Sequence, residues 1–363
     1  MPTAPTLIEL GWSSELAEAF QPHAPAAEPA RVARVDRAAL DVISPSGPLR
    51  AGLALPLVRA AEADPIAAVT VGDWVVLHPA RRPGEQAMAS AVLPRRTAVV
   101  RGSGGRATAA QVLAANVDVL LLVTAALPRA PLNRVERFLT LAWDSGARPV
   151  VVLAKSDLVD DVPDQLRRIA SAAPGADVVA TSTVSGEGVG DVAALLGIGV
   201  TAGVIGASGA GKSSLANALI GADRLVTSHL REDGKGRHTT AWRELVVLPS
   251  GGVLLDTPGL RGLQLWDAGD ALTRTFSDVV ELAVDCRFRD CRHEAEPGCA
   301  VRAAIEAGVL DSRRVASHAK LQREQAWLAS RRDALVRIEE RRRWKVMHKQ
   351  IRNAGRDGHG PRP

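Results

Sequence analysis

The sequence GASGAGKSS, residues 206–214, constrains the fold of this 363-residue chain more than any other stretch. It matches the pattern G-x-x-x-x-G-K-[ST] and lies between an apolar stretch typical of a strand and the helical sequence SSLANALIG. In such a loop, backbone N–H groups and the start of the helix surround phosphate groups. The competing interpretation is a Gly-rich turn with no ligand. The candidate nucleotide-binding residues are Gly206, Ala207, Ser208, Gly209, Ala210, Gly211, Lys212, Ser213 and Ser214.

Within this loop, Lys212 is expected to neutralise the β and γ phosphate oxygens, and the Ser213 hydroxyl to bind Mg²⁺. A second apolar stretch, VLLD, ends at Asp256 and is followed by a flexible Gly259. Asp256 is expected to hold Mg²⁺ through water, and the Gly259 N–H to reach the γ-phosphate. On its own, Asp-Thr-Pro-Gly is only a turn signal, so its weight comes from its place after the phosphate loop.

Between these two motifs lies the polar segment TSHLREDGKGRHTT, long enough to form a mobile loop. Thr239 or Thr240 could complete the Mg²⁺ shell when GTP is bound. Leu260 follows Gly259, where related enzymes carry a Gln that orients the attacking water. Since Leu cannot orient water, we expect slow intrinsic hydrolysis and take His238 as the candidate helper. The alternative for His238 is an exposed loop residue.

The stretch VVVLAKSDL, residues 150–158, resembles the guanine-reading motif Asn-Lys-x-Asp, with Ala154 in place of Asn. Asp157 can accept two hydrogen bonds from guanine, Lys155 can lie over the base, and Ser156 lies between them. The later sequence VVATSTVSGEG resembles the loop that closes over the base, through Ser182 and Thr183. These segments precede the phosphate loop, so the order of the motifs is circularly permuted. An open sheet tolerates this permutation because its ligands bind at loops on one edge.

The wider pattern predicts a multidomain α/β protein. Residues 1–101 are expected to form an N-terminal extension and a small β-barrel of the OB type, although periodicity alone does not choose between barrels. Residues 106–267 alternate apolar strands with helices, which predicts a doubly wound, mostly parallel sheet. Residues 268–363 are predicted to be mostly helical. Trp74, the one aromatic residue from Arg31 to Arg101, is expected in the core and not at a ligand contact.

All three cysteines lie close together, in the sequence CRFRDCRHEAEPGC. Three thiolates and one imidazole make a complete tetrahedral set for a structural Zn²⁺ with no open position. The spacing is not that of a standard finger, and free thiols or a redox pair are the competing interpretations. The predicted zinc ligands are Cys286, Cys291, His293 and Cys299.

Charge and composition indicate the setting. Residues 331–363 carry eleven Arg or Lys and four Asp or Glu, a net of +7, so the rest of the chain sums to −2 within a total of +5. This basic end suits nucleic acid, although a solvated helix face is an equal alternative. No apolar run is long enough for a membrane span, and the N-terminus lacks the pattern of a signal peptide. Three cysteines suit a reducing compartment, so we expect a cytoplasmic protein.

Taken together, the segments GRHTT, GASGAGKSSLAN, DTPG, AANVDVLLLV and LPRRT and the cysteine cluster resemble the bacterial ribosome small-subunit-dependent GTPase A family. The resemblance implies an OB domain, a permuted GTPase domain and a zinc domain. It implies GTP hydrolysis stimulated by the 30S subunit, a role in late 30S maturation, and 16S rRNA contacts by the flanking domains. It also implies the Mg²⁺ and Zn²⁺ ligands named above.

Two other interpretations remain at this point. One is a nucleotide-regulated signalling switch with a protein partner and no RNA role. The other is a zinc and RNA-binding module whose nucleotide domain has decayed, which the intact Lys212, Ser213 and Asp256 disfavour. We expect a monomer. Ala154, where many family members have Asn, predicts weaker nucleotide binding with guanine still preferred.

Overall fold

A computed structural model describes residues 5–36, 39–80, 82, 84–102, 110–126, 129–221, 244–256 and 268–330. The first described element is helix α1 (Ser14–Phe20), capped by the Ser13 side chain. Trp12, which precedes this helix, packs edge-on against Trp74 with the ring centroids 4.8 Å apart, and Trp74 is fully buried. This confirms that Trp74 is a core residue. None of the helices in these described ranges is both long and apolar enough to cross a membrane.

The N-terminal strands close into a five-stranded barrel with the order β1-β2-β3-β5-β4. Strands β3 and β5 run parallel and the other neighbours antiparallel. Helix α2 lies between β3 and β4, and the closed barrel confirms the predicted OB-type architecture. The bounds are β1 (Glu28–Val35), β2 (Ala39–Ser44), β3 (Gly47–Leu53), α2 (Leu55–Ala63), β4 (Trp74–His78) and β5 (Ala87–Val92).

The barrel is joined to the next unit by a pair of antiparallel strands, β6 (Ala98–Gly102) and β7 (Ala110–Ala115). A buried arginine of β1 strengthens this junction. The Arg31 guanidinium donates to the carbonyl of Leu10 and, at 3.1 Å, to that of Asn116, and it lies 5.5 Å from the Trp74 ring centroid. Arg31 therefore ties the N-terminal segment and the barrel to the start of the central unit.

The central unit is a six-stranded sheet with the order β10-β9-β8-β11-β13-β12. All neighbours are parallel except β12, which pairs antiparallel with β13. Its central strands are mostly apolar because both faces are covered. The bounds are β8 (Val119–Ala125), β9 (Arg148–Ala154), β10 (Asp177–Thr181), β11 (Thr201–Gly206), β12 (Glu244–Val247) and β13 (Val253–Asp256).

Helices cover both faces of this sheet, as the doubly wound prediction requires. On one face Leu120 and Leu122 share a core with Leu139 of α3 (Leu132–Ser145) and Ile169 of α4 (Val162–Ala172). On the other face the core includes residues of α5 (Val189–Ala194) and α6 (Lys212–Ile220). The described helices after the sheet are α7 (Gly269–Thr275), α8 (Ser277–Val284), α9 (Ala300–Glu306) and α10 (312–330).

These C-terminal helices dock on α3 through a surface that we call the α3 interface, formed by α3 with α7, α8 and α10. At its centre the fully buried Glu136 carboxylate accepts two hydrogen bonds from Arg313, both 3.0 Å long, and one of 3.2 Å from Arg314. Arg314 also donates to the Asp278 carboxylate and, at 2.6 Å, to the Thr275 carbonyl. The buried charges of Glu136 and Arg314 are thus paired with each other and with Arg313 and Asp278, whose side chains are partly exposed.

Further contacts extend the α3 interface along the helix. Arg137 donates two hydrogen bonds of 2.6 and 2.7 Å to Glu324 of α10. The hydroxyls of Thr140 and Thr275 lie 3.0 Å apart. The domain limits predicted from sequence, 1–101, 106–267 and 268–363, stay predictions, and the basic segment 331–363 lies outside the described residues.

Candidate nucleotide site and metal centre

The predicted nucleotide-binding segments meet at one edge of the central sheet. Strands β9, β10, β11 and β13 run parallel and end at Ala154, Thr181, Gly206 and Asp256. The carboxyl ends of parallel strands share one edge, where ligands of open α/β sheets bind. Segments that are far apart in the sequence therefore surround a common space.

The phosphate loop runs from the end of β11 to the start of α6. Gly211 has a φ of +102°, a left-handed conformation that glycine adopts without strain, and the helix begins at the next residue. The first N–H groups of a helix have no partner within it, so they are available to an anion. The Lys212 ammonium donates to the Ala207 carbonyl at 2.6 Å, which holds it over the loop. This arrangement suits a phosphate group.

Most of the other predicted residues of this loop are accessible to a ligand. Ser208 and Gly209 are exposed, Ser213 and Ser214 are half-buried at the start of α6, and Ala210 is buried in the core. The Ser213 hydroxyl therefore stands at the helix start where a Mg²⁺ ion bound to phosphates would lie.

The predicted guanine-reading segment forms a tight turn at the end of β9. Lys155 has a φ of +63°, which is uncommon for a residue with a side chain, and a single turn of 3₁₀ helix spans Ser156–Leu158. Ser156 is buried, Lys155 is half-buried and Asp157 is exposed. Strained backbone of this kind is frequent at ligand sites. The turn leaves the Asp157 carboxylate accessible at the edge of the sheet.

This turn lies against the phosphate loop. A Cβ atom placed on Gly211 would lie 3.4 Å from the Cβ of Ala154. The two segments are thus in contact, although the guanine-reading segment comes first in the sequence. The contact is the geometric reason why a permuted order can build one site.

The predicted base-closing loop follows β10. Ser182 is fully buried, and its hydroxyl accepts hydrogen bonds from the N–H groups of Val184 and Ser185 at 3.2 and 3.1 Å. Its own N–H donates to the Glu187 carbonyl at 3.0 Å. Ser182 therefore shapes the loop from inside, whereas Thr183 is exposed. Contact with a base would come from the loop backbone or from Thr183.

Several predicted residues lie outside the described residues: His238, Thr239, Thr240, Gly259 and Leu260. The backbone of Asp256 is described as the last residue of β13, but its side chain is not. The Mg²⁺ ligands and the hydrolytic group assigned to these positions stay predictions.

Comparison with known proteins identifies the family. A family model described as RsgA GTPase matches residues 92–266. A protein of Streptomyces coelicolor, named "Small ribosomal subunit biogenesis GTPase RsgA", is 46% identical over 346 residues, which cover 93% of this chain and 92% of that protein. The chain belongs to the RsgA GTPase family.

Solved structures agree with this assignment. The crystal structure of YjeQ from Thermotoga maritima superposes with a TM-score of 0.62 and 25% identity, covering 83% of this chain and 99% of that one. The structure of YloQ, described as a circularly permuted GTPase, superposes with a TM-score of 0.59 and 23% identity, covering 85% of this chain and 97% of that one. RsgA GTPases hydrolyse GTP, so the predicted enzyme class and the permuted fold are confirmed.

In this RsgA family member the four predicted zinc ligands come together after α8. Their ligand atoms all lie within 4.8 Å of one another. His293 Nδ1 is 3.4 Å from Cys299 Sγ and 3.7 Å from Cys286 Sγ, and the two sulfurs are 3.9 Å apart. Tetrahedral Zn–S bonds of about 2.3 Å would separate ligands by roughly 3.7 Å. The donor set and its spacing fit Zn²⁺.

The local backbone supports this cluster. Cys299 precedes α9, and its sulfur accepts a hydrogen bond from the Arg302 N–H at 3.4 Å. His293 has a φ of +63°, which turns the chain sharply between Cys291 and Cys299. A hydrogen bond to sulfur favours the thiolate that a metal requires.

Sequence reasoning missed one polar residue of the nucleotide edge. Thr181 is fully buried, and its hydroxyl oxygen has no hydrogen-bond partner among the residues that the structure describes. Thr181 is the register partner of Ala154 across the pair β9–β10. In the sequence VVATS it looks like an ordinary strand residue, and only the strand register connects it to the site.

Proposed function

We propose that this protein is a GTPase of small ribosomal subunit maturation, which hydrolyses GTP when the 30S subunit stimulates it. The observation that carries the proposal is the contact of the guanine-reading turn with the phosphate loop, at Ala154 and Gly211. It is joined by 46% identity to a relative named for small ribosomal subunit biogenesis. Together they support a guanine nucleotide at this edge and a ribosomal partner.

The nucleotide would lie across the edge of the sheet. The loop Gly206–Gly211 and the N-terminus of α6 would bind the phosphates, with Lys212 neutralising charge on the β and γ oxygens. The exposed Asp157 carboxylate would accept two hydrogen bonds from guanine, and adenine cannot donate both. This difference gives the site its choice of base.

Mg²⁺ would be held by the Ser213 hydroxyl, by Asp256 through water, and by Thr239 or Thr240. It would neutralise charge that develops on the transferred phosphoryl group. The Gly259 N–H would contact the γ-phosphate. Since Leu260 cannot orient water, His238 is our candidate for positioning the attacking water once the ribosomal partner is bound.

The cysteine cluster would hold one Zn²⁺ through Cys286, Cys291, His293 and Cys299. Four protein ligands leave no open position, so this ion would stabilise the fold and take no part in hydrolysis. Zinc content per chain tests this: we expect one zinc in the wild type and much less in the Cys291→Ser variant. Equal zinc in the two proteins would argue against the site.

The barrel and the basic segment 331–363 would contact 16S rRNA, since clustered Arg and Lys neutralise phosphates. The decrease of the affinity for 30S subunits with rising salt concentration measures this electrostatic contribution. A variant that ends at residue 330 should bind 30S subunits with a smaller salt slope than the full chain. A cytoplasmic location and a monomeric state stay predictions alongside this role.

The deciding experiment measures multiple-turnover GTP hydrolysis with and without purified 30S subunits, with ATP as competitor. We expect 30S subunits to raise kcat by more than about tenfold, within the range of partner-stimulated P-loop GTPases. The Lys212→Ala variant serves as the control for contaminating activity. No stimulation by 30S would favour a signalling switch with a different partner, and equal use of ATP would exclude guanine recognition by Asp157.

A further inference from the structure

The ends of β9 and β10 bring one small and one polar side chain together. Ala154 and Thr181 are register partners in these parallel strands, and paired residues of neighbouring strands point to the same face of the sheet. Both are buried: Ala154 is 3% exposed and Thr181 is 0% exposed. The shared face is the one covered by α6, because Ala154 belongs to the core that contains Leu215 of that helix.

At this place the Thr181 hydroxyl is left without a hydrogen bond. Its oxygen has no partner within the described part of the chain, and the methyl group of Ala154 can offer none. Buried polar groups in folded proteins are nearly always paired, because an unpaired one loses its hydration without compensation. An unpaired hydroxyl at the border of a binding site therefore marks a missing partner.

The same methyl group faces the phosphate loop. A Cβ on Gly211 would lie 3.4 Å from the Ala154 Cβ, so the loop backbone runs beside position 154. Position 154 thus touches three segments: the turn at Lys155–Asp157, the base-closing loop after Thr181, and the phosphate loop. A polar side chain here would be within reach of both the Thr181 hydroxyl and the loop backbone.

We propose that Ala154 leaves these three segments unlinked, and that this missing link makes GDP dissociate rapidly. The proposal rests on the proposed function, in which Asp157 reads guanine. An Asn at position 154 would accept from the Thr181 hydroxyl and donate to the loop backbone, and it would hold the segments in their bound arrangement. Position 154 is a positioning site, since it acts through the loops and not on the base.

The test is the dissociation rate of a fluorescent GDP analogue, chased with excess unlabelled GDP. We expect Ala154→Asn to slow dissociation by about tenfold, the effect of one to two net hydrogen bonds. Ala154→Leu adds the same number of side-chain heavy atoms with the same branching, without polar atoms, and should not slow it. Melting temperatures and circular dichroism establish that each variant is folded. A folded Ala154→Asn protein that releases GDP as fast as the wild type would overturn the proposal.

A second variant tests the Thr181 hydroxyl independently of whether Ala154→Asn folds. Thr181→Val keeps the shape and removes the oxygen. In the wild-type background we expect an unchanged or higher melting temperature and unchanged GDP release. In the Ala154→Asn background, Thr181→Val should raise the slowed GDP dissociation rate again, by about threefold. A lower melting temperature of Thr181→Val alone would show that the hydroxyl already has a partner, and would overturn the inference.

Asp157→Ala separates this inference from the function on which it rests. If this variant binds GDP and ATP as the wild type does, the guanine assignment itself fails. If it loses GDP binding while Ala154→Asn releases GDP at the wild-type rate, the proposed function stands and only the role of position 154 is refuted.

Discussion

The nucleotide edge of the sheet and the α3 interface treat polar side chains in opposite ways. At the α3 interface the buried Glu136 carboxylate accepts three hydrogen bonds from two arginines. At the nucleotide edge the Asp157 carboxylate is exposed and the Thr181 hydroxyl is buried without a partner in the described residues. One region pairs its buried carboxylate with two arginines, and the other leaves the Asp157 carboxylate for a ligand and one buried hydroxyl unpaired.

The difference teaches which substitutions should affect which property. Removing one charged group from a buried ion-pair network leaves its partners uncompensated and destabilises the fold. Removing a group that awaits a ligand weakens binding or catalysis and leaves the free protein almost as stable as before. The two regions can therefore be distinguished by measuring stability and nucleotide chemistry on the same variants.

The largest effect on stability is expected from Glu136→Gln. It leaves Arg313 and Arg314 without the buried carboxylate, and this should lower the free energy of unfolding by about 3–5 kcal/mol. Urea denaturation measures the loss, and the GTP dissociation constant should be unchanged. The matched control is Glu324→Gln, whose side chain is 25% exposed and should cost about 1 kcal/mol or less. Equal losses of unfolding free energy in the two variants would show that the buried network contributes no more to stability than the partly exposed ion pair.

Lys212→Ala should show the reverse pattern. The loss of the ammonium that neutralises phosphate oxygens should reduce single-turnover GTP hydrolysis about a hundredfold to a thousandfold. The melting temperature of the nucleotide-free protein should stay within about 2 °C of the wild type, since a mostly local contact costs little. If Lys212→Ala unfolds as readily as Glu136→Gln, the contrast between the regions does not hold.

A pH titration addresses His318, which packs against Phe276 with ring centroids 5.0 Å apart. Burial lowers the pKa of His318 to about 4, with His293 and Arg314 acting in the same direction and Asp278 opposing them. The unfolded pKa is about 6.5, so below that pH the unfolded chain binds a proton that the folded chain does not. Stability is therefore complete above pH 6.5, and about 2 kcal/mol should be lost by pH 5.

The measurement compares urea midpoints at pH 7 and pH 5 for the wild type and His318→Gln. The variant cannot bind the proton at this position, so its stability should fall less steeply between the two pH values. Parallel slopes in the two proteins would assign the acid sensitivity to other groups.

The smallest expected effect on stability compares the two regions directly, because the same substitution, Thr→Val, is made in each. Thr140→Val removes a hydroxyl that lies 3.0 Å from the Thr275 hydroxyl, and it should cost about 1 kcal/mol of stability. The double variant Thr140→Val, Thr275→Val should lose more stability than the single one, because the Thr275 hydroxyl also donates to the Ala271 carbonyl at 2.8 Å and keeps that bond when Thr140 is replaced. Thr181→Val at the nucleotide edge should cost nothing. Equal costs at positions 140 and 181 would contradict the contrast.

Much of the fold and of the site could be predicted because the signals are local. The phosphate loop needs nine adjacent residues, and the cysteine cluster lies within one short segment. The order of these motifs then gave the permuted topology. The turn at Lys155 was located as well, since Lys-x-Asp after an apolar strand is a short pattern.

What could not be predicted depends on contacts between distant residues. Arg31 lies in an alternating strand, where an arginine would be expected outside, yet it is buried between the carbonyls of Leu10 and Asn116. Glu136 is an ordinary helix residue until Arg313 is brought beside it. No local pattern records such partners, because both members must be placed by the fold before the interaction exists.

The permuted order also has a consequence for how the chain is made. Strand β8, with its apolar sequence VLLLV, lies in the middle of the finished sheet between β9 and β11. During synthesis the ribosome releases β8, β9 and β10 first, and one edge of β8 stays uncovered until Thr201–Gly206 has emerged. Exposed apolar edges invite pairing with other chains. This chain therefore passes through a nascent stage in which an interior strand has only one of its two neighbours.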